Sequence, residues 1–444
     1  MPDNQKVIVR FPPSPTGLFH IGNARTFLFN YLFAKQNKGQ IVFRLEDTDK
    51  ERSKQEYAND IVENLKWLGI EPDFSTTVKQ SERSEIYTKY LQKLINEDKA
   101  YISKEEVKEE GQRDEVIRFR NPNKKIAFHD LIRGEIEFDT TELHDFVIAK
   151  SLSEPIYHLA VVIDDFEMGV THVVRGDDGI SNTPRQILIQ EAIGAPRPIY
   201  AHLPMILAED KTKLSKRNHG EKVSVSFYKK AGYLPEAVIN FLAMIGWNPG
   251  TDQEIFSMEE LIKTFDLTKV QKKGALFNIE KLNWLNREYI MRAPHEFKIS
   301  NFKNQIEKTK WKGSEKMKNE EFMTKLMKIL LDRIHRWGEV AELLETNEYD
   351  YLFDKPHLEK EKIVWKTQTP ENAKENLEKV LEIIDTPDKI MSLAEETGKG
   401  EVLWPLRYAL SGKEKSPDPF TLIDILGTEE SRDRIKKAVE VLIN

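Results

Sequence analysis

The chain has 444 residues, more than one hydrophobic core ordinarily supports, so two to four domains are expected. Its 39% hydrophobic and 32% charged residues are those of a folded protein, no apolar run is long enough to span a bilayer as a helix, and the absence of cysteine excludes disulfides, thiolate zinc sites and cysteine nucleophiles. A net charge of -7 does not advertise nucleic-acid binding, although phosphate contacts depend on where lysines and arginines cluster and not on their sum.

The start, MPDNQKVIVRF, lacks the longer apolar region and cleavage site of a secretory signal, so a cytoplasmic location (or its organellar equivalent) is expected. VIVRF at 7–11 and IVFRLED at 41–47 are rich in β-branched residues and predict strands. Between them, 24–35 places Phe27, Leu28, Tyr31 and Leu32 at helical spacing, and 57–68 repeats the pattern with Ile61, Leu65 and Leu68. The stretch 100–152 breaks this rhythm. VIRFRNPNKKIAFHDLIRGEIEFD has β pairs separated by Asn-Pro and Arg-Gly turns, which reads as a small inserted domain. YHLAVVIDD at 157–165 and THVVRGDD at 171–178 return to β-like runs, followed by a helix over 184–193 and a strand through 199–207. Strands alternating with helices predict a parallel α/β sheet. After Gly220 the pattern turns helical, with a break at WNPGTD (247–252), and from about Pro294 it is nearly all helix.

Two segments carry chemistry. RFPPSPTGLFHIGN, at 10–23, runs from a strand through a proline- and glycine-broken loop into a helix near Asn23. In an open parallel sheet ligands bind at such places, where a helix start offers unpaired N–H groups and a positive dipole to phosphate. Gly22, without a Cβ, lets a nucleotide approach the backbone, and His20 can donate to a phosphate oxygen, although for His20 taken alone a tight turn with a surface histidine is favoured. DKTKLSKRNHG, at 210–220, sets two lysines three apart around a small hydroxyl, which suits a loop gripping a triphosphate as charge develops on departing pyrophosphate. Basic pentamers are also common on surfaces. The lysines of 211–230 and 298–318 equally fit solvated loops and helix faces, and the ten histidines contain no HExxH pair that would mark a zinc hydrolase.

Together the HIGN turn after the first strand and KLSKR after the last resemble the double signature of class I aminoacyl-tRNA synthetases. RFPPSPTGLFHIGNARTFLFNYLFA and GQIVFRLEDTDKERS, then YHLAVVIDDFEMGVTHVVRGDDGISNTPRQ and ALFNIEKLNWLNREYI, resemble the bacterial glutamyl-tRNA synthetase family to about residue 290, and PLRYALSG at 405–412 continues the likeness. The resemblance implies a Rossmann-like parallel-sheet catalytic domain split by a small α+β insertion and followed by an all-helical anticodon-binding region. It divides the chain into a first catalytic half (1–98), an acceptor-stem-binding insertion (99–155), a second catalytic half ending in the KLSKR loop (156–218), a helical stem-contact domain (219–296) and a helical anticodon-binding domain (297–444).

The resemblance also assigns roles. Glutamate carries two carboxylates and an ammonium, so its pocket needs cations and an acceptor. Arg10 is the expected fork for the side-chain carboxylate, which guanidinium geometry suits better than lysine. Ser14, Tyr157 and Arg175 complete the shell, and Glu46 takes the α-ammonium. Arg10 and Arg175 lie in β-like runs, where an unpaired buried charge is costly, which favours a role in binding; Tyr157 fits a core position as well. The acidic run Glu46–Asp49 could also hold magnesium or cap a helix, and Asp49 is a candidate contact for the tRNA 3′ end. His20 and Gly22, with Lys213, Leu214, Ser215 and Lys216, form the ATP site, and His20, Lys213 and Lys216 carry catalysis by charge stabilisation. ATP comes with Mg2+, no protein side chain is identified as a metal ligand, and no zinc is expected.

The expected partners are L-glutamate, ATP and tRNA(Glu), with the protein a monomer away from membranes. Arg333 in LLDRIHRW, or a solvated helix arginine there, and Arg407 in PLRYALSG are the candidate anticodon contacts, and Trp337, Trp404 and Tyr408 are candidates to stack on bases, unless they are core. Pro12 and Gly179 depart from the family pattern, which commonly has a small residue and a histidine there. Glutaminyl-tRNA synthetase shares the catalytic half, but its relatives end in β-barrels. A truncated tRNA-modifying paralogue would lack the residues beyond about 300. Pantothenate synthetase-like ligases lack the pocket arginine and the helical tail. A degenerate RNA-binding regulator would not be expected to keep His20, Lys213 and Lys216.

Overall fold

Both faces of the first strand, β1 (Ile8–Phe11), are covered: Val9, Arg10 and Phe11 are all buried, as in a parallel sheet sandwiched between helices. This computed structural model describes residues 6–106, 114–366 and 368–443. It divides into two compact units, Met1–Asn286 and Arg287–Asn444.

In the first unit the chain leaves β1 through α1 (Ile21–Gln36), returns along β2 (Gln40–Leu45), and crosses again by α2 (Gln55–Leu68) to the short β3 (Val78–Lys79). The three strands are parallel, with Arg10 opposite Val42 and Arg44 opposite Val78. Phe27, Leu28 and Leu32 are fully buried on α1, and so are Phe29 and Ala34, so this helix is enclosed on most of its circumference. On α2 the buried side is Ile61, Leu65 and Leu68, and Gly69 closes the helix in the left-handed region.

After α3 (Ser84–Asn96) comes the segment expected to be an insertion. β4 (Ala100–Lys104) and β5 (Glu115–Phe119) are antiparallel, as are β6 (Lys125–Asp130) and β7 (Gly134–Asp139); β8 (Phe146–Ser151) and β9 (Glu154–Pro155) complete a sheet ordered β4-β5-β8-β9. The chain re-enters the main fold through α4 (Tyr157–Glu167), then β10 (His172–Gly176), α5 (Thr183–Ile193) and β11 (Ile199–Leu203). YHLAVVIDD is therefore a helix and not the β-like run expected. Its residues from Leu159 to Asp165 are all buried, and an element buried all round shows no amphipathic period to separate helix from strand.

β10 and β11 are parallel, and β11 pairs with β6 through one bridge, Tyr200 to Asp130, so β6 and β7 continue this sheet in the order β10-β11-β6-β7. β10 lies beside β1. Thr171 N donates to Ile8 O at 2.9 Å and Ile8 N donates to the Thr171 hydroxyl at 2.8 Å. Further along, the Val174 carbonyl takes hydrogen bonds from the side chains of Arg10 (3.4 Å) and Asn30 (3.0 Å). The sheet is thus split at the point where its strand order reverses, where open α/β sheets place their ligands.

β12 (Ile206–Leu207) follows, then α6 (Lys216–His219), α7 (Val225–Ala231), α8 (Pro235–Met244) and α9 (Met258–Thr264), the last started by a reciprocal Ser257/Glu260 capping box. β13 (Ala275–Leu276) pairs in parallel with β12. α10 (Ile279–Arg292) leads into the second unit, α11 (His295–Ile306) to α19 (Thr428–Ile443), in which the described residues form helices and turns without strands. Three of its helices begin with Pro just after Thr369, Thr386 or Asp418, a position that costs no hydrogen bond. Leu377 and Val380 of the helix after Thr369, Val402 and Leu406 of Lys399–Ser411, and Ile435 and Ala438 of α19 are fully buried in its core. Among the described residues no helix is long and apolar enough to cross a membrane.

Candidate active site

The HIGN turn is built around its histidine. His20 is the N-cap of α1, and its Nδ1 accepts the Gly22 backbone N–H at 2.9 Å, taking one of the donors a helix start leaves over. A neutral ring that accepts at Nδ1 carries its proton on Nε2, so the far edge of the imidazole is a donor. Burial, with Lys213 adding repulsion, lowers the His20 pKa to about 4, and the ring is neutral near pH 7. A Cβ on Gly22 would stand 3.1 Å from Nδ1, so the glycine makes room for the capping ring as well as for a ligand.

KLSKR is an ordered hairpin followed by one helical turn. Asp210 accepts from the Thr212 N–H and hydroxyl, Lys211 turns the chain at φ 64°, and Lys213 pairs antiparallel with Leu207. Leu214 is buried with its N–H on the Ile206 carbonyl (3.0 Å), which leaves Lys213 exposed, its Nζ 3.1 Å from Asp178. Ser215 precedes α6 as its N-cap residue, and Lys216 opens that turn in an exposed position. Beyond it His20 forms an antiparallel bridge to Ser224, and Val225 N donates to Phe19 O (2.9 Å). Backbone pairing therefore ties the segment after KLSKR to the HIGN turn, and the charge of Lys213 reaches His20.

Behind the HIGN loop lies a buried ionic network. Arg44 has no exposed surface and contacts Asp165 (2.8 Å), Glu46 (3.1 Å) and Asp164 (3.7 Å); burial works against its charge, but the three carboxylates outweigh it and its pKa is raised. Arg10 lies 3.3 Å from Asp165, so it is not the unpaired charge expected of a β-strand arginine. Burial opposes ionisation of Asp165, yet Arg44 and Arg10 hold its pKa low. Asp164 is closed off from the other side by Arg83 (2.7 Å), Gln80 (2.8 Å) and Tyr87 (2.9 Å). Burial pushes Glu46 up against the pull of Arg44. The loop above is fixed to the strand end, because Pro13 O accepts from Glu46 N and Pro15 O from Lys54 N, both at 3.0 Å, leaving Ser14 exposed between them.

Arg175 differs. It is buried, but its Nε meets His202 (3.0 Å), one Nη meets Gln186 (2.8 Å), and the other meets the Gly179 carbonyl (3.0 Å) and the Thr183 hydroxyl (2.8 Å). All these acceptors are neutral, and among the described residues no carboxylate touches it. Burial lowers its pKa, and both Arg10 and Tyr157, which is exposed at the first turn of α4, act on it electrostatically. Arg10, Glu46, Tyr157 and Arg175 thus share one neighbourhood.

A family model, class I tRNA synthetases (E and Q), catalytic domain, matches residues 6–113 and 102–284, and an anticodon binding domain matches 301–439. Glutamate–tRNA ligase of Aquifex aeolicus is 40% identical over 98% of this chain and 99% of its own, and that of Carboxydothermus hydrogenoformans is 41% identical over 97% and 99%. The chain belongs to the glutamate–tRNA ligase family. A crystal structure of the ligase from Elizabethkingia meningosepticum, in complex with its amino acid, superposes with a TM-score of 0.86 at 32% identity over 99% of this chain and all of that one.

The remaining positions suggested by the family resemblance are scattered. Asp49 is an exposed carboxylate paired with Arg52 at 2.7 Å. Arg333 lies in the turn after α12 (Glu320–Leu331) and not in a helix, and it is paired with Glu348. Trp337 and Tyr408 are buried, 1% and 2% exposed, so neither can stack on a base; Tyr408 lies inside the helix Lys399–Ser411 and Trp337 in the turn before Gly338–Glu345. Trp404 is half-buried, carries the Arg407 guanidinium 4.8 Å above its ring, and donates from its indole N–H to Lys362 O (3.0 Å). Arg44, Asp164, Asp165, Asp130 and His202 are absent from the expected site. Charges inside β-branched runs, as in IVFRLED and HLAVVIDD, were the available signal for the first three, because a charge there must be paired. Nothing in the sequence marks Asp130 and His202.

Proposed function

We propose that this chain activates L-glutamate with ATP and transfers it to the 3′-terminal adenosine of tRNA(Glu). In the first step an oxygen of the glutamate α-carboxylate attacks the α-phosphorus of ATP, and the α–β anhydride bond breaks to release pyrophosphate. In the second, a hydroxyl of the terminal ribose attacks the acyl carbon, forming the ester and releasing AMP. Neither step needs a covalent protein nucleophile. Positioning and charge stabilisation carry both.

The Nε2–H of neutral His20, the amides at the start of α1 and the ammonium groups of Lys213 and Lys216 fit the phosphates, with Gly22, Leu214 and Ser215 shaping the approach. Magnesium would arrive on the ATP phosphates; no cluster of three His, Cys, Asp or Glu side chains is found among the described residues. Arg10 and Arg175 would hold the glutamate side-chain carboxylate, with Ser14 and Tyr157 beside it and Glu46 on the α-ammonium. Asp49 would contact the tRNA 3′ end. Residues 99–155 would take the acceptor stem, 219–296 the stem, and 297–444 the anticodon through Arg333 and Arg407.

One observation carries the choice of glutamate. Arg175 is a buried cation whose touching partners are all neutral, within electrostatic reach of Arg10 and Tyr157. A ligand carboxylate would supply the missing charge, and a carboxamide would not. The test is charging of tRNA(Glu) and tRNA(Gln) side by side with labelled glutamate. Label is expected on tRNA(Glu) only when ATP is present; folded protein that labels neither tRNA would refute the reading, and the tRNA(Gln) lane shows whether anticodon choice is strict.

A further inference from the structure

Arg175 is held by a clamp that reaches into the insertion. His202, on β11, has no exposed surface; its Nδ1 lies 2.6 Å from Asp130 and its Nε2 lies 3.0 Å from Arg175 Nε. The Asp130 carboxylate also accepts backbone N–H groups from Ile132, Arg133 and His202, so it is an acceptor on every side and Nδ1 must carry the proton. Nε2 is then a lone pair, which the Arg175 Nε–H requires. Had the ring held its proton on Nε2, two donors would face each other in a dry interior. The opposite wall is Gly179. A Cβ there would fall 2.5 Å from Arg175 Nε and 2.8 Å from its Cδ, and because the glycine backbone is not in the left-handed region, any residue could adopt its conformation. What Gly179 supplies is space for the guanidinium alone. With Gln186 and Thr183 taking donors on the two Nη nitrogens, one Nη1 hydrogen meets no acceptor among the described residues.

Resting on the reading of Arg175 as a glutamate-carboxylate group, we propose that Asp130, His202 and Gly179 are positioning residues that fix its guanidinium so that one Nη1 donor is presented to the substrate. Asp130 belongs to the inserted segment, so the insertion contributes to amino-acid selection in addition to any contact with tRNA. None of the three need touch glutamate. Asp130 selects the imidazole tautomer, the imidazole sets the rotation of the guanidinium about its Nε, and Gly179 leaves room for that rotation.

The experiment measures steady-state charging of tRNA(Glu) by the full chain, with KM for glutamate and for ATP determined separately. His202→Asn keeps a donor for Asp130 but withdraws the acceptor from Arg175, and Gly179→Ala pushes on the guanidinium directly. Each is expected to raise the glutamate KM on the order of tenfold, with ATP KM unchanged within about twofold. His202→Gln, which restores an acceptor near the Nε2 position, is expected to recover most of the loss. A glutamate KM within twofold of the parent in His202→Asn and Gly179→Ala would overturn the proposal, as would a parallel rise in both KM values. Should a His202 variant fail to fold, Gly179→Ala alone decides. Arg175→Lys is the control: if it leaves the glutamate KM unchanged, the underlying reading of Arg175 fails, whereas a raised KM there with unaffected clamp variants refutes only the clamp.

Discussion

His20 does two jobs that substitution can separate. As N-cap it accepts the Gly22 N–H, and as a ring protonated on Nε2 it has a donor left for phosphate. Asn is as good a cap as any residue but lacks a donor at the Nε2 position. His20→Asn is therefore predicted to keep the thermal midpoint within a few degrees while slowing adenylate formation about a hundredfold, read by pyrophosphate exchange. Exchange at the parent rate would remove His20 from the phosphate site. At this scale the sequence was uneven as a guide. Arg10 and Arg175 could be picked out because arginine in a β-branched run needs a reason. Their partners could not, because Asp165 lies 155 residues from Arg10, and Asp130 lies 72 residues from His202. Only the folded sheet brings them together.

Among elements, the KLSKR segment sets the two lysines in different structures. Lys213 sits on a hairpin beside Asp178, and Lys216 opens a helical turn in an exposed position. An exposed lysine on a turn adds little to stability, so Lys216→Ala is predicted to slow adenylate formation by at least tenfold with tRNA affinity unchanged. Equal losses in both, measured by single-turnover kinetics and filter binding, would mean a structural role. The helix Gln55–Leu68 was legible because its buried residues keep a clear helical period, and the first strands because they are runs of β-branched residues. The helix Tyr157–Glu167 was not, since burial on all sides erases the polar face that reports helical phase. Tyr408 shows the reverse: it sits at a buried position of the helix Lys399–Ser411 and marks core.

Over the whole molecule, the ionic network and the histidines give stability an acid-sensitive edge. Burial, helped by Lys213 for His20 and by Arg185 for His158, lowers both pKa values to about 4, below the ordinary value of 6.5. Between pH 6.5 and 4 the unfolded chain then binds protons that the native state refuses, so stability falls as pH falls through that window. His172 and His202 are displaced in the same direction, by burial first. The thermal midpoint is predicted to drop steadily from pH 7 to pH 4.5; a flat or rising midpoint would show that these rings are charged in the folded protein.

The proposed selectivity rests on a buried arginine without a touching carboxylate, Arg175, reading the charge of the substrate side chain. Competition between labelled glutamate and labelled glutamine for charging of tRNA(Glu), with ATP saturating, tests it directly. Glutamate is predicted to win by on the order of a thousandfold or more in kcat/KM, because glutamine would leave Arg175 buried without a touching carboxylate. Comparable charging of the two amino acids would contradict it.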